Sequence, residues 1–181
     1  MNGDDEEISH DMADENNRKR RNIFKEVQNL IKVQSEYVVR VFGAWKESDY
    51  LYIQMELCSD SLYNILQIKR QLFARKYDKP MNRFEYIISC KIFRQILECV
   101  QYLHELSPQI IHRDLKPENI LIAVNAKNGR FIKLGDFGLA TVHDKLVNYV
   151  SQNRHSSRVG DIRYMAPEVS RKDYYGHKAD I

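Results

Sequence analysis

Ile111-His112-Arg113-Asp114-Leu115-Lys116-Pro117-Glu118-Asn119 gathers a carboxylate, an ammonium and a carboxamide into nine residues. Asp136-Phe137-Gly138 begins 17 residues after Asn119, and Ala166-Pro167-Glu168 follows further on. Upstream, the longest helical signal in the chain runs from about Glu85 to Leu106. Its stripe of Ile88, Ile92, Ile96, Val100 and Leu103 keeps to one face, the period of a core-facing helix. Pro108 closes that segment. Downstream the text changes to short strands and loops, with Asn125, Asn128 and Gly129 marking a hairpin. The polar motifs therefore sit between apolar elements, as site residues on a scaffold do.

Further from this centre, Ser61 to Arg70 reads as a helix, followed by a polar, basic loop to Asn82. Tyr37 to Trp45 and Tyr50 to Leu57 read as two strands joined by the polar turn at residues 46–49. In the second strand Leu51, Ile53 and Met55 alternate with Tyr52, Gln54 and Glu56. Phe24, Val27, Leu30 and Ile31 share one face of an amphipathic helix over residues 22–34. Residues 1–20 carry an acidic stretch, Asp4 to Glu7, and the start of a basic run, Arg18 to Arg21, without apolar partners. They read as a disordered, solvated tail.

Composition bounds the rest. A chain of 181 residues with 43% hydrophobic and 29% charged residues has room for one domain or a large piece of one. The net charge of +3, from 28 basic against 25 acidic residues, is too mild to argue for nucleic acid. Cys58, Cys90 and Cys99 show neither metal spacing nor a disulfide framework, which fits a reducing compartment. No apolar run approaches the ~18 residues of a membrane span, and the N-terminus lacks the apolar stretch of a signal peptide. The expectation is a cytoplasmic protein with no membrane partner, the basic run allowing a nuclear location.

The three motifs, in this order, resemble those of eukaryotic protein kinases. The resemblance covers residues 21–181 and implies an α+β fold: a partial bilobal kinase domain. Residues 21–57 would be the remnant of the small lobe and 58–181 part of the mainly helical large lobe. It implies ATP and Mg²⁺ as cofactors and a protein substrate phosphorylated on Ser or Thr, Lys116 being the mark of that branch. Phosphoryl transfer needs positioning and charge stabilisation more than covalent help. Asp114 would orient the attacking hydroxyl, Lys116 would reach the transferred phosphate, and Asn119 and Asp136 would be the metal ligands. Glu26 matches the partner of an ATP-positioning lysine and Met55 the gatekeeper. Glu56 to Cys58 match the hinge that binds adenine, and Leu121 the floor beneath it. Leu30, Val41, His112 and Phe137 resemble a spine joining the lobes, with Asp180 anchoring its base. Segment 136–168 resembles an activation segment, in which Tyr149, Ser151, Ser156 and Ser157 are candidate phosphosites and Arg113 a candidate phosphate partner.

Narrower resemblance comes from Tyr37 to Trp45, Tyr50 to Cys58 and Tyr175 to Ile181. These look like the stress-responsive kinases of the translation initiation factor 2 α-subunit. That group also allows a dimer, though the residues leave the oligomeric state open. Three departures qualify the likeness. No G-x-G-x-x-G occurs in these residues, and no lysine upstream of Glu26 sits in an apolar strand. Without these the isolated chain is expected to be inactive, and because the central large-lobe helix should begin where the sequence reaches Ile181, it is also expected to be unstable or prone to associate. Where such kinases usually carry Gly-Thr, this chain has Gly160-Asp161, and a carboxylate there would either pair with Lys116 or crowd Asp114. On that reading Asp161→Thr raises activity. The alternative to an enzyme is an inactive kinase segment that acts as a binding or regulatory module.

Overall fold

The computed structural model describes residues 35–48, 50–143, 160–170 and 175–181. The helix expected over residues 22–34, with Glu26 and Leu30, lies outside the described residues. So do Tyr149, Ser151, Ser156 and Ser157.

The described part is a mixed α+β structure of three small sheets, two long helices and a short helix at Pro167–Ser170. Strand β1 (Val41–Glu47) pairs antiparallel with β2 (Tyr50–Met55), and Trp45 stacks on its cross-strand partner Tyr52 at 5.6 Å. The expected strand from Tyr37 begins at Val41 instead. Residues 37–39 cross to the next sheet, where the Val39 N–H donates to the Leu134 carbonyl and the Leu134 N–H to that of Tyr37. This short parallel bridge at Val38 ties the first hairpin to the rest of the molecule.

The second sheet has the order β3 (Cys58–Ser61), β5 (Ile120–Lys127), β6 (Arg130–Leu134), all antiparallel. Its β5–β6 turn holds Asn128 at φ 53° and Gly129 at φ 73°. Two consecutive left-handed residues make the two-residue turn that matches strand twist, which is why Asn-Gly signals it. The third sheet pairs β4 (Gln109–Ile111) with β7 (Thr141–His143).

Helix α1 (Leu62–Leu72) is capped by Ser61, whose hydroxyl accepts from the Asn64 N–H. Helix α2 (Arg83–Glu105) is capped by Asn82, which accepts from Glu85 at 2.9 Å. The α2 stripe is buried at its C-terminal end, where Val100 and Leu103 join Cys99, Ile110, Ile120, Ile132 and Leu134 in the core. Burial pushes the Cys99 thiol up to about 12, so it behaves as a small apolar residue. Toward the N-terminus the helix leaves Phe84, Ile87, Ile88 and Phe93 exposed.

Gln95 joins helix to sheet. Its side-chain oxygen accepts from the N–H groups of Phe131 and Ile132 at 2.9 and 3.0 Å, and its amide donates to Gly129 at 2.9 Å. It thereby satisfies the edge of β6 that β5 leaves open. Gln95→Ala leaves the Phe131 and Ile132 N–H groups unpaired, so we expect a loss of about 2–6 kcal/mol, at roughly 1–3 per orphaned group. Urea denaturation checks this; a loss under ~1 kcal/mol would show that water takes over the edge.

Candidate active site

Strand β4 ends at Ile111 and delivers the next residues onto a short loop. His112 is fully buried. Its Nε2 lies 2.9 Å from the Gly135 carbonyl, while Nδ1 accepts from the Asp114 N–H at 3.3 Å. That pair of contacts fixes a neutral imidazole with its proton on Nε2. Burial drives the His112 pKa down in the same direction. The ring also lies 4.9 Å from that of Phe137, so His112 links the 112–119 loop to the segment after β6.

Asp180 holds the loop from below. Its carboxylate accepts from the His112 and Arg113 N–H groups, both at 2.8 Å, and from His104 Nε2 at 2.9 Å. Two adjacent amides can reach one carboxylate because Arg113 turns the chain at φ 67°. The Arg113 side chain donates to the Leu139 carbonyl at 2.6 Å, a second tie to the segment after β6.

Asp114, buried on this platform, is surrounded by donors. Lys116 Nζ reaches its Oδ2 at 2.7 Å and Asn119 Nδ2 the same oxygen at 2.9 Å, while the Asp161 N–H reaches Oδ1 at 3.1 Å. The bond to Asp114 raises the Lys116 pKa, so the ammonium stays charged. Asn119 sits on the turn Pro117–Asn119 and spends its amide nitrogen on Asp114, on both the side chain and the backbone carbonyl. Its Oδ1 has no hydrogen-bond partner among the described residues. Asp136 takes φ 54° and is exposed; among the described residues its Oδ1 accepts only the Gly138 N–H, at 3.3 Å. Two hard oxygens, one amide and one carboxylate, are thus available at positions joined by the bond from the Gly135 N–H to the Asn119 carbonyl. This donor set fits Mg²⁺, which takes one or two protein oxygens and completes its shell from phosphates and water. Among the described residues no group of three His, Cys, Asp or Glu side chains forms a protein-only metal cage.

Beside Asp136 opens a cleft of about 560 Å³, within the range of small-molecule sites. Val39, Met55 and Leu121 line it, and so does the connection from β2 to β3 at Glu56, Leu57 and Cys58. Glu56 turns its side chain away to Lys133 (2.6 Å) and to the Arg40 N–H (3.2 Å). Burial would raise its pKa, but these two donors hold it below the usual carboxylate range. Burial and the neighbouring Glu56 push the Cys58 thiol up, so it is not an activated nucleophile. A second hollow of about 530 Å³ is lined by Arg113, Asp114, Leu115, Arg163 and Met165.

Asp114, Lys116, Asn119 and Asp161 converge directly, and Asp136 joins them through Gly135. Met55, Glu56, Cys58 and Leu121 share the cleft. His112, Arg113 and Phe137 form the support. One expectation is corrected: the Asp161 carboxylate neither pairs with Lys116 nor crowds Asp114, because Arg163 takes both its oxygens. Arg163 holds that carboxyl down to about 2. Sequence reasoning also missed His104 and Lys133 as supports. Both are ordinary polar residues whose partners lie 76 and 77 positions away.

No helix among the described residues is long and apolar enough to cross a membrane. A family model described as "Protein kinase domain" matches residues 7–181. The chain is 37% identical over 140 residues to "Eukaryotic translation initiation factor 2-alpha kinase 3" of Bos taurus, covering 73% of this chain and 11% of that protein. It is 35% identical over 161 residues to "Serine/threonine-protein kinase pakG" of Dictyostelium discoideum, covering 88% and 12%. It is 38% identical over 133 residues to "Membrane-associated tyrosine- and threonine-specific cdc2-inhibitory kinase wee-1.3" of Caenorhabditis briggsae, covering 73% and 17%. The chain thus spans less than a fifth of the length of these relatives.

Proposed function

Since this chain belongs to the protein kinase family, we propose that the full-length protein transfers the γ-phosphoryl group of ATP to a Ser or Thr hydroxyl of a protein. The observation that carries this reading is the donor arrangement at Asp114. Lys116 and Asn119 occupy one carboxylate oxygen and a peptide N–H the other, so the buried side chain is fixed in orientation.

In that role Asp114 accepts the hydrogen bond of the acceptor hydroxyl and aims its oxygen at the phosphorus. Lys116, charged and adjacent, neutralises the oxygens of the transferring group. Asn119 Oδ1 and Asp136 would hold Mg²⁺, which when bound offsets charge on the phosphates. The backbone at Glu56 to Cys58 receives the adenine edge, over Leu121. Glu56 itself, engaged by Lys133, stiffens this connection.

The eukaryotic initiation factor 2 α-subunit is the first substrate to assay, because one 37%-identical relative is named for it. The relative named as tyrosine- and threonine-specific makes a tyrosine acceptor the necessary comparison. A ligand that binds only the folded state raises the melting midpoint, by about 2.7 kcal/mol of stability at a hundredfold excess over Kd. We expect ATP to stabilise the full-length protein more with Mg²⁺ than with a chelator, and Asp136→Asn to remove that difference. Equal shifts with and without Mg²⁺ would instead favour a nucleotide-binding or regulatory module.

A further inference from the structure

We propose that Asp161 and Arg163 form a positioning pair for Asp114, in which the Arg163 guanidinium fixes residue 161 so that its peptide N–H stays on Asp114 Oδ1. The inference rests on the reading of Asp114 as the group that orients the acceptor hydroxyl.

Rotation of a carboxylate about its last bond is broad and roughly two-fold, so burial alone does not set its plane. Donors on both oxygens do. Oδ2 of Asp114 has two donors from within its own loop, whereas Oδ1 receives the Asp161 N–H from 47 residues along the chain. The plane is therefore only as well defined as residue 161.

Residue 161 is held on three sides. Its carboxylate Oδ1 accepts from the Arg163 backbone N–H and from Nε, both at 3.0 Å. Its Oδ2 accepts from the second guanidinium nitrogen at 2.6 Å and from Nε at 3.2 Å. Its carbonyl accepts from the Tyr164 N–H at 2.9 Å. The fork geometry of guanidinium on carboxylate restricts direction as well as distance. Arg163 also lies 3.9 Å from Glu118, on the turn that carries Asn119, so the clamp reaches back to the loop it serves. Where Gly-Thr kinases offer a hydroxyl at this position, this chain offers a peptide N–H whose place depends on a charged neighbour two residues on. Asp161→Thr should accordingly lower activity, the reverse of the expectation from sequence.

The test uses the full-length protein with Arg163→Met, Arg163→Lys and Asp161→Thr. Arg163→Met is expected to lower kcat about 10- to 100-fold, the scale of a small misplacement of a reacting group. KM for ATP should stay within about twofold, since the clamp touches no residue of the adenine cleft. Arg163→Lys, which keeps the charge without the fork, should recover part of the loss. Independently of activity, hydrogen exchange at the Asp161 amide should accelerate at least ~10-fold in Arg163→Met while amides of β5 and β6 keep their protection. An unchanged kcat with an unchanged Asp161 amide overturns the proposal, as does loss of protection spread evenly over the sheet. Asp114→Asn separates the two levels. If it retains full transfer, the reading of Asp114 falls and the clamp with it. If it abolishes transfer while Arg163→Met has no effect, the clamp alone falls.

Discussion

Asp180→Ala is expected to remove about 2–6 kcal/mol of stability, because it strands the buried N–H groups of His112 and Arg113 at roughly 1–3 kcal/mol each. The His104 ring loses its partner as well. Domains of this size are stable by about 5–15 kcal/mol in total, so the variant should melt far earlier or fail to accumulate in soluble form. Asp180→Asn keeps one acceptor oxygen and should fall between the two. Chemical denaturation of the three proteins gives the ordering. A loss below ~1 kcal/mol for Asp180→Ala would mean that the loop holds its shape without this anchor.

Gly160→Ala should damage the site more than the fold. Residue 160 sits at φ +105°, and a Cβ there would collide with the Arg113 carbonyl oxygen and lie 3.5 Å from Asp114 Oδ1. Backbone of this kind costs a non-glycine residue about 1–3 kcal/mol, and the clash must in addition displace either the 112–114 loop or the peptide of Asp161. Displacement by about 1 Å at a reacting group is enough for a ~100-fold drop in kcat. Gly43→Ala is the matched control, since a Cβ at residue 43 meets nothing within 4 Å. Steady-state kinetics on both, with melting curves, checks the contrast. Equal activity in the two variants would show that the 160–161 peptide does not bear on Asp114.

Much of this arrangement is written in local sequence. Helix α2 follows from its 3.6-residue stripe and the Asn82 cap, and the β5–β6 hairpin from Asn128-Gly129, because each depends on neighbours a few positions away. Asp114, Lys116 and Asn119 were legible through the resemblance of their motif to the kinases, and the turn at 117–119 folds them onto one another. What was not legible depends on distant pairing. Nothing near Tyr37 announces that the chain leaves its strand to bridge Leu134. Nothing near Gln95 announces the edge of β6. The error over Asp161 is instructive, since its partner was only two residues away. Charge reasoning weighed Lys116 and Asp114, the residues with roles, and passed over Arg163, which the turn places in the better geometry. The exposed N-terminal half of α2 also shows that a core-like stripe states what a helix can bury, not what covers it.

Asp114 is proposed to orient a hydroxyl for phosphoryl transfer. The most direct test of this role is transfer of labelled γ-phosphate from ATP to a protein acceptor, comparing the full-length protein with its Asp114→Asn form, which keeps the shape and removes the charge. The account predicts Mg²⁺-dependent labelling of Ser or Thr that falls by roughly 10²- to 10⁴-fold in Asp114→Asn, the scale of a lost acid–base group, while ATP still stabilises the variant. Labelling that persists undiminished in Asp114→Asn would contradict it.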